Sequence, residues 1–348
     1  MALHGADVWQ DGRPMPVLDF SSNVNPLAPP KGLMDDLRKY VSLSKYYPEP
    51  DARSARTALA EFHGLRPENI VIGNGANELI HLFFEAVPKG RTLIIAPTYS
   101  EYEQASIGHG HQPYFHVVRY PFTTNLNEVI IKKNTSLVFL CNPNNPTGEV
   151  LSKHEILSFY EEVVRAGAAL VLDEVHMDLS DKETETLMAE AGDGLIVLRS
   201  LTKLLGVPGL RLGYSISSQE VSKKIDSVRP AWNVNVLAIE TINHWLNKEF
   251  FDKSREYAKK ERKFLGYALS DLGLEVLPSH ANYFLIKLKR KVAHEIKISL
   301  LKKGILIRDA SSIRGLDEHY IRIGVLNHSK NLILIKSLKE IIDQLGGL

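Results

Sequence analysis

Three features of the sequence predict an α/β chain built on a mostly parallel sheet, with a smaller α+β unit behind it. From about residue 65, short runs recur that are apolar at nearly every position, as strands covered on both faces must be. Helical patterns lie between them and supply the crossovers that parallel neighbours need. In the last third the order changes to a long charged helical stretch, then strands and helices in α+β succession. At 348 residues the chain is long enough for roughly two domains of ~150 residues, each with its own core.

The first forty or so residues are irregular, with Pro26, Pro29 and Pro30, and are expected to drape over the junction of the two units. Residues 69–72 read as a strand and 78–85 as a helix. Further strands are expected at 92–96, 137–140, 169–172, 195–198 and 212–216, with a helix over 153–165. One helical stretch then covers 236–271. A strand at 283–288, a helix at 293–303, strands at 305–308 and 320–325, and a helix at 332–345 complete the chain. The expected division is an arm over 1–45, a large domain over 46–235 and a small domain over 236–348.

Composition excludes several classes. Forty-two Lys and Arg against 41 Asp and Glu leave a formal net charge of +1, which supports neither a nucleic-acid scaffold nor a polybasic membrane binder. The single cysteine, Cys141, rules out an intramolecular disulfide framework and any cysteine-rich metal site. The first residues lack the basic segment and apolar stretch of a signal peptide. The longest apolar runs, such as 168–172, fall far short of the ~20 residues that span a bilayer. A cytoplasmic location with no nucleic-acid or membrane partner is expected.

Four segments can carry chemistry, and each also has a plain structural use. Gly73-Asn74-Gly75-Ala76-Asn77-Glu78 follows a strand and opens a helix, so its free backbone N–H groups can seat a phosphate; it serves equally as a tight turn. Glu78 stands where a dinucleotide fingerprint wants a third glycine. Asn142-Pro143-Asn144-Asn145-Pro146-Thr147-Gly148 closes a buried strand, where α/β sheets bind ligands, yet its composition is that of an ordinary turn. Asp173 ends another apolar strand and needs a partner or a shifted pKa; a protonated ring nitrogen would serve, and so would a helix N-terminus. Ser200-Leu201-Thr202-Lys203, with Arg211 eight residues on, places an amine near two groups that can grip phosphate. A desolvated lysine can form a Schiff base, whereas a lone lysine is ordinarily solvated. His109, His111 and His116 lack a neighbouring carboxylate or cysteine at ligand spacing, so no metal site is expected.

Together these motifs resemble the fold-type-I pyridoxal-phosphate (PLP) enzymes, the aspartate aminotransferase superfamily, over essentially the whole chain. The resemblance implies a large domain with a seven-stranded, mostly parallel sheet between helices, a smaller α+β domain, and pyridoxal 5'-phosphate as cofactor. It implies that Lys203 carries the cofactor, that Asp173 keeps its ring nitrogen protonated, that Asn145 reaches its 3'-oxygen and that Tyr99 stacks on its ring. Gly75, Ala76 and Asn77, with Ser200 and Arg211, would hold its phosphate. Tyr47 would reach that phosphate from a second copy, which implies a homodimer with shared sites; Arg322 would bind a substrate carboxylate.

Within the superfamily the likeness runs to two groups that act on phosphorylated substrates, the threonine-phosphate decarboxylases and the histidinol-phosphate aminotransferases. Residues 18–27, 97–103, 230–235 and 307–311 lean toward the decarboxylases, and so does His4-Gly5. His176 stands where the aminotransferases carry a tyrosine near the cofactor's 3'-oxygen, which weakens the transaminase reading. A decarboxylase has to hold the scissile Cα–carboxylate bond perpendicular to the cofactor plane, so its substrate must be anchored elsewhere. A phosphate tail held by His4, Asn25, Arg308 and Arg322, with Tyr47 and Asn145 alongside, would do this. The leading expectation is decarboxylation of L-threonine O-3-phosphate to (R)-1-aminopropan-2-ol O-phosphate for the cobalamin nucleotide loop, with L-serine O-phosphate as a competing substrate. The alternatives are a histidinol-phosphate aminotransferase and a catalytically silent binding protein of the same fold.

Overall fold

The computed structural model describes residues 5–345. The apolar runs form a seven-stranded sheet: β1 (Ile70–Asn74), β2 (Arg91–Ala96), β3 (Gln112–Val117), β4 (Thr135–Cys141), β5 (Ala169–Asp173), β6 (Leu195–Ser200) and β7 (Leu212–Ile216). Their spatial order is β1-β7-β6-β5-β4-β2-β3. Only β7 is reversed, antiparallel to both β1 and β6, while β2 to β6 pair in parallel. The two-residue period explains the continuous apolar runs. Leu170, Leu172, Leu195 and Val197 enter the core on one face; Val171, Ile196 and Leu198 enter the core on the other. β3 lies outside the expected strands because it is the edge: its residues are half-buried or exposed and include Pro113, which an edge strand tolerates.

A second, antiparallel sheet has four strands in the order Glu275–Val276, Tyr283–Lys287, Tyr320–Gly324, Arg308–Asp309. Its core includes Phe284, Ile286, Ile321 and Ile323, packed with Leu265 and Leu269 of the helix Lys248–Asp271. The strand expected at 305–308 is two short pieces. Ile305–Leu306 pairs in parallel with Leu18–Asp19 of the arm, and Arg308–Asp309 joins the second sheet.

The helical stretch expected over 236–271 breaks into Val236–Trp245 and Lys248–Asp271, because the Asn247 side chain accepts from the Phe250 backbone N–H at 2.9 Å and starts a new helix. Ala238, Ile239, Ile242 and Phe251 pack into the large-sheet core, as do Leu33 and Leu37 of the arm. The helix Lys248–Asp271 thus gives Phe251 to the first core and Leu265 and Leu269 to the second. No helix of the described residues is long and apolar enough to cross a membrane.

Candidate active site

The carboxyl ends of the parallel strands meet the second sheet across two adjoining cavities. β1 passes through Gly75, at φ +83°, into the helix Ala76–Ala86. A Cβ on Gly75 would lie 2.4 Å from Arg211 Nη2, and one on Gly213 would lie 2.3 Å from the Ala76 nitrogen. Two glycines thus let a guanidinium and a helix start close into one cradle for an anion. Gly75→Ala should weaken phosphate capture at least tenfold, read as cofactor Kd by absorbance titration; an unchanged Kd would remove this cradle from the account.

β5 delivers Asp173, which is buried. Its Oδ2 accepts from the Tyr102 hydroxyl at 2.5 Å and its Oδ1 from the Val175 N–H at 2.9 Å. Burial pushes this carboxyl above the usual carboxylate range despite those donors. After β6, Lys203 lies in the walls of both cavities. Burial lowers its amine to about 8; Asp173 opposes that shift, while Arg322 and Arg211 add to it. Ser200 gives its hydroxyl hydrogen to the Leu212 carbonyl at 2.7 Å, as Thr202 does at 3.1 Å. Ser200 can offer that hydrogen to an anion in the inner cavity by turning its hydroxyl away from the Leu212 carbonyl.

The inner cavity, of ≈ 110 Å³, is walled by Ala76, Asn77, Asp173, His176 and Ser200 among others. It opens on an outer one of ≈ 290 Å³. Tyr99, Asn145, Thr202, Lys203 and Arg211 belong to both. Burial raises the Tyr99 phenol above its usual value. His176 is buried edge-on to Tyr283, 4.9 Å between centroids, and its Nδ1 has no partner; burial holds the ring neutral. Asn77 Oδ1 is likewise buried without a donor.

Among the described residues no Asp or Glu lines the outer cavity, whereas Arg308 and Arg322 do. The two are register partners on adjacent antiparallel strands, a position where like charges repel. Arg322 donates to Asn145 Oδ1 at 2.5 Å and to the Ser21 carbonyl, and its Nε has no partner. Burial, with Arg308 adding repulsion, lowers its guanidinium to about 10. Arg308 donates to Ser312 Oγ at 3.0 Å and is lowered by burial too. An anion between them would relieve both.

Three expected substrate contacts stand apart from this set. Asn25 is turned away: its amide donates to the Leu204 carbonyl and to Ser254 Oγ, and its oxygen accepts from the Leu27 N–H. Its bonding capacity is spent on tying the arm to the Lys203 loop, so the geometry corrects its assignment to substrate. Tyr47 is 84% exposed and lies against Trp232, away from this chain's own cavity. His4 lies outside the described residues. His109 hydrogen-bonds to His81, and His111 to the Phe84 carbonyl and Ser136. Sequence reasoning gave no role to Tyr102 or Tyr283, nor to the Ser21 carbonyl.

Residues 15–338 match the family described as aminotransferase class I and II. The chain belongs to this family. A protein of Caldanaerobacter subterraneus subsp. tengcongensis, provisionally named threonine-phosphate decarboxylase, is 36% identical over 93% of this chain and 90% of its own length. Among solved structures, the histidinol-phosphate aminotransferase of Clostridium acetobutylicum aligns at TM-score 0.88 and 28% identity, covering 94% of this chain and all of that one. The L-threonine-O-3-phosphate decarboxylase of Porphyromonas gingivalis aligns at TM-score 0.85 and 30% identity with the same coverage.

The cofactor of this aminotransferase-family chain is pyridoxal 5'-phosphate, and the residues present fit it. The inner cavity brings together an anion cradle and the buried Asp173 carboxyl. The same cavity is lined by the desolvated Lys203 amine and by Asn77 and His176, whose Oδ1 and Nδ1 are buried with no hydrogen-bond partner among the described residues. Only a neutral amine attacks an aldehyde, so cofactor uptake by the cofactor-free protein should accelerate as pH rises toward about 8 and then level off. Stopped-flow absorbance measures this, and a rate independent of pH from about 6.5 to about 9 would contradict it.

Proposed function

We propose that the chain decarboxylates an O-phospho-L-amino acid, L-threonine O-3-phosphate in the first place, giving (R)-1-aminopropan-2-ol O-phosphate for the cobalamin nucleotide loop. The observation carrying this reading is the facing Arg308–Arg322 pair in an outer cavity where the described residues place no carboxylate. Two buried cations remain for substrate once the cradle has taken the cofactor phosphate. A phospho-amino acid brings two anionic groups to match them, its carboxylate and its phosphate. Histidinol phosphate brings only a phosphate.

Gly75, Ala76 and Asn77, with Ser200 and Arg211, would hold the cofactor phosphate, and Asp173 would pair with the ring nitrogen. Asn145 and His176 would meet the 3'-oxygen, and Tyr99 would cover the ring. When bound, the cofactor draws electrons from the substrate's Cα and so makes its bonds breakable. Arg308 and Arg322 fix the substrate by its two anionic ends, and the Arg322–Asn145 hydrogen bond locks the arginine in place. Lys203 Nζ, with an amine lowered to about 8, holds the proton that takes the place of the lost carboxylate at Cα. Tyr47, exposed beside Trp232, supports a homodimer in which each copy completes the other's cradle. A cytoplasmic location accords with a soluble phosphorylated substrate.

Histidinol-phosphate aminotransfer is the second reading, and the backbone likeness to the Clostridium structure favours it. Purified, cofactor-loaded enzyme should release CO2 from phosphothreonine without any 2-oxo acid. Phosphoserine, one methyl smaller, should be used ~10–200-fold less well. Glutamate formation that depends on 2-oxoglutarate and histidinol phosphate, with no CO2, would replace the first reading by the second.

A further inference from the structure

Between Arg308–Asp309 and Tyr320–Gly324 the chain makes a short strap, residues 310–316, that reaches across to the large sheet's side. Arg314 forks onto Glu103 of the helix Glu101–Gly108, Nη2 to Oε1 at 2.5 Å and Nε to Oε2 at 3.1 Å. The guanidinium lies 4.1 Å from the ring centroid of Phe115 on β3. Gly315, at φ +88°, comes so close to β3 and Pro97 that a Cβ there would meet Val117 Cγ1 at 3.1 Å. Ile313 is buried in a small cluster with Phe122, Leu285 and Tyr320. The strap also carries Ser312, which receives the hydrogen bond from Arg308. Glu103 lies four residues beyond Tyr99, in the segment that walls the outer cavity through Thr98, Tyr99 and Ser100. One ion pair therefore joins the loop that holds Arg308 to the segment that carries Tyr99.

We propose that Arg314 and Glu103 are positioning residues for the substrate's phosphate: their pair fastens the strap so that Ser312 and Ile313 hold Arg308 in the outer cavity. A partly exposed ion pair is ordinarily worth little. This one is two-pronged and stacked on an aromatic ring, and it acts through the buried Arg308. It rests on the reading of a phosphate-bearing substrate, and it touches neither the cofactor cradle nor Lys203. Its loss should show in the affinity for a phosphate ester and leave the chemical step alone.

The test compares wild type with Glu103→Gln, Arg314→Gln and the double reversal Glu103→Arg/Arg314→Glu, all cofactor-loaded. Each single variant should raise KM for phosphothreonine about tenfold, with kcat within about twofold. Cofactor Kd and the inhibition constant of phosphate-free L-threonine should stay within about twofold, and the double reversal should recover most of the loss. Single variants with KM within about twofold of wild type would overturn the proposal, as would an equal loss for L-threonine. If wild type instead transaminates histidinol phosphate, the decarboxylase reading fails by itself. The same KM comparison on that ester then decides the strap, because the strap acts on the phosphate.

Discussion

Lys203→Ala should lower kcat at least ~10³-fold, the combined loss of the cofactor's anchor and of the proton donor at Cα. The folded protein should survive the change. Burial lowers the Lys203 amine to about 8 from its ordinary 10.5, so the native state disfavours the charge that the unfolded chain carries. Between those values the unfolded chain binds more protons, and stability rises with pH; below about 8 the cost of charging the buried amine is present in full. Near neutral pH, removing that amine takes away a strain as well as a function, and the thermal midpoint should hold or rise. Small primary amines in the buffer should restore part of the turnover by supplying the missing base. Activity above about one per cent of wild type without added amine would contradict a central role for Lys203.

Arg322→Ala should cost the phosphate-bearing substrate about 3 kcal/mol, or ~150-fold in kcat/KM, the scale for removing one member of a buried charged pair. Arg322 donates to Asn145 and to the Ser21 carbonyl from a buried position, so its loss also frees the amide expected at the cofactor's 3'-oxygen. Arg322→Lys should recover little, because an ammonium cannot reproduce a fork aimed at two acceptors. Arg308→Ala should be milder, since it also removes the repulsion that depresses Arg322. Steady-state kinetics on phosphothreonine decide this. A change below about threefold for Arg322→Ala would mean that substrate is not held by the two arginines.

The parts legible in the sequence were those whose physics is local. Strands β4, β5 and β6 announced themselves because burial on both faces leaves no room for polar residues. Asp173, Lys203 and Arg211 could be read because each follows or precedes such a strand at the end where ligands bind. β3 was invisible because an edge strand need not be apolar. The break at Leu246–Asn247 was hidden because one capping amide inside an otherwise helical pattern decides it. Asn25 was misread for a different reason. An amide in a proline-rich arm looks free in sequence, and only folding brings Leu204 and Ser254 to it. Tyr102 on Asp173 and Arg314 on Glu103 are separated by 71 and 211 residues, and nothing in their local sequence foretells the meeting.

The proposed activity breaks the Cα–carboxylate bond and spares the Cα–H bond. Running the cofactor-loaded enzyme on L-threonine O-3-phosphate in heavy water tests it most directly, with the product read by NMR and mass spectrometry. The predicted product is 1-aminopropan-2-ol O-phosphate that keeps its original Cα hydrogen and gains a single solvent deuterium at that carbon, one for each CO2 released. Recovered phosphothreonine whose Cα hydrogen has been exchanged for deuterium, with no CO2 formed, would contradict the account and assign the site to transamination.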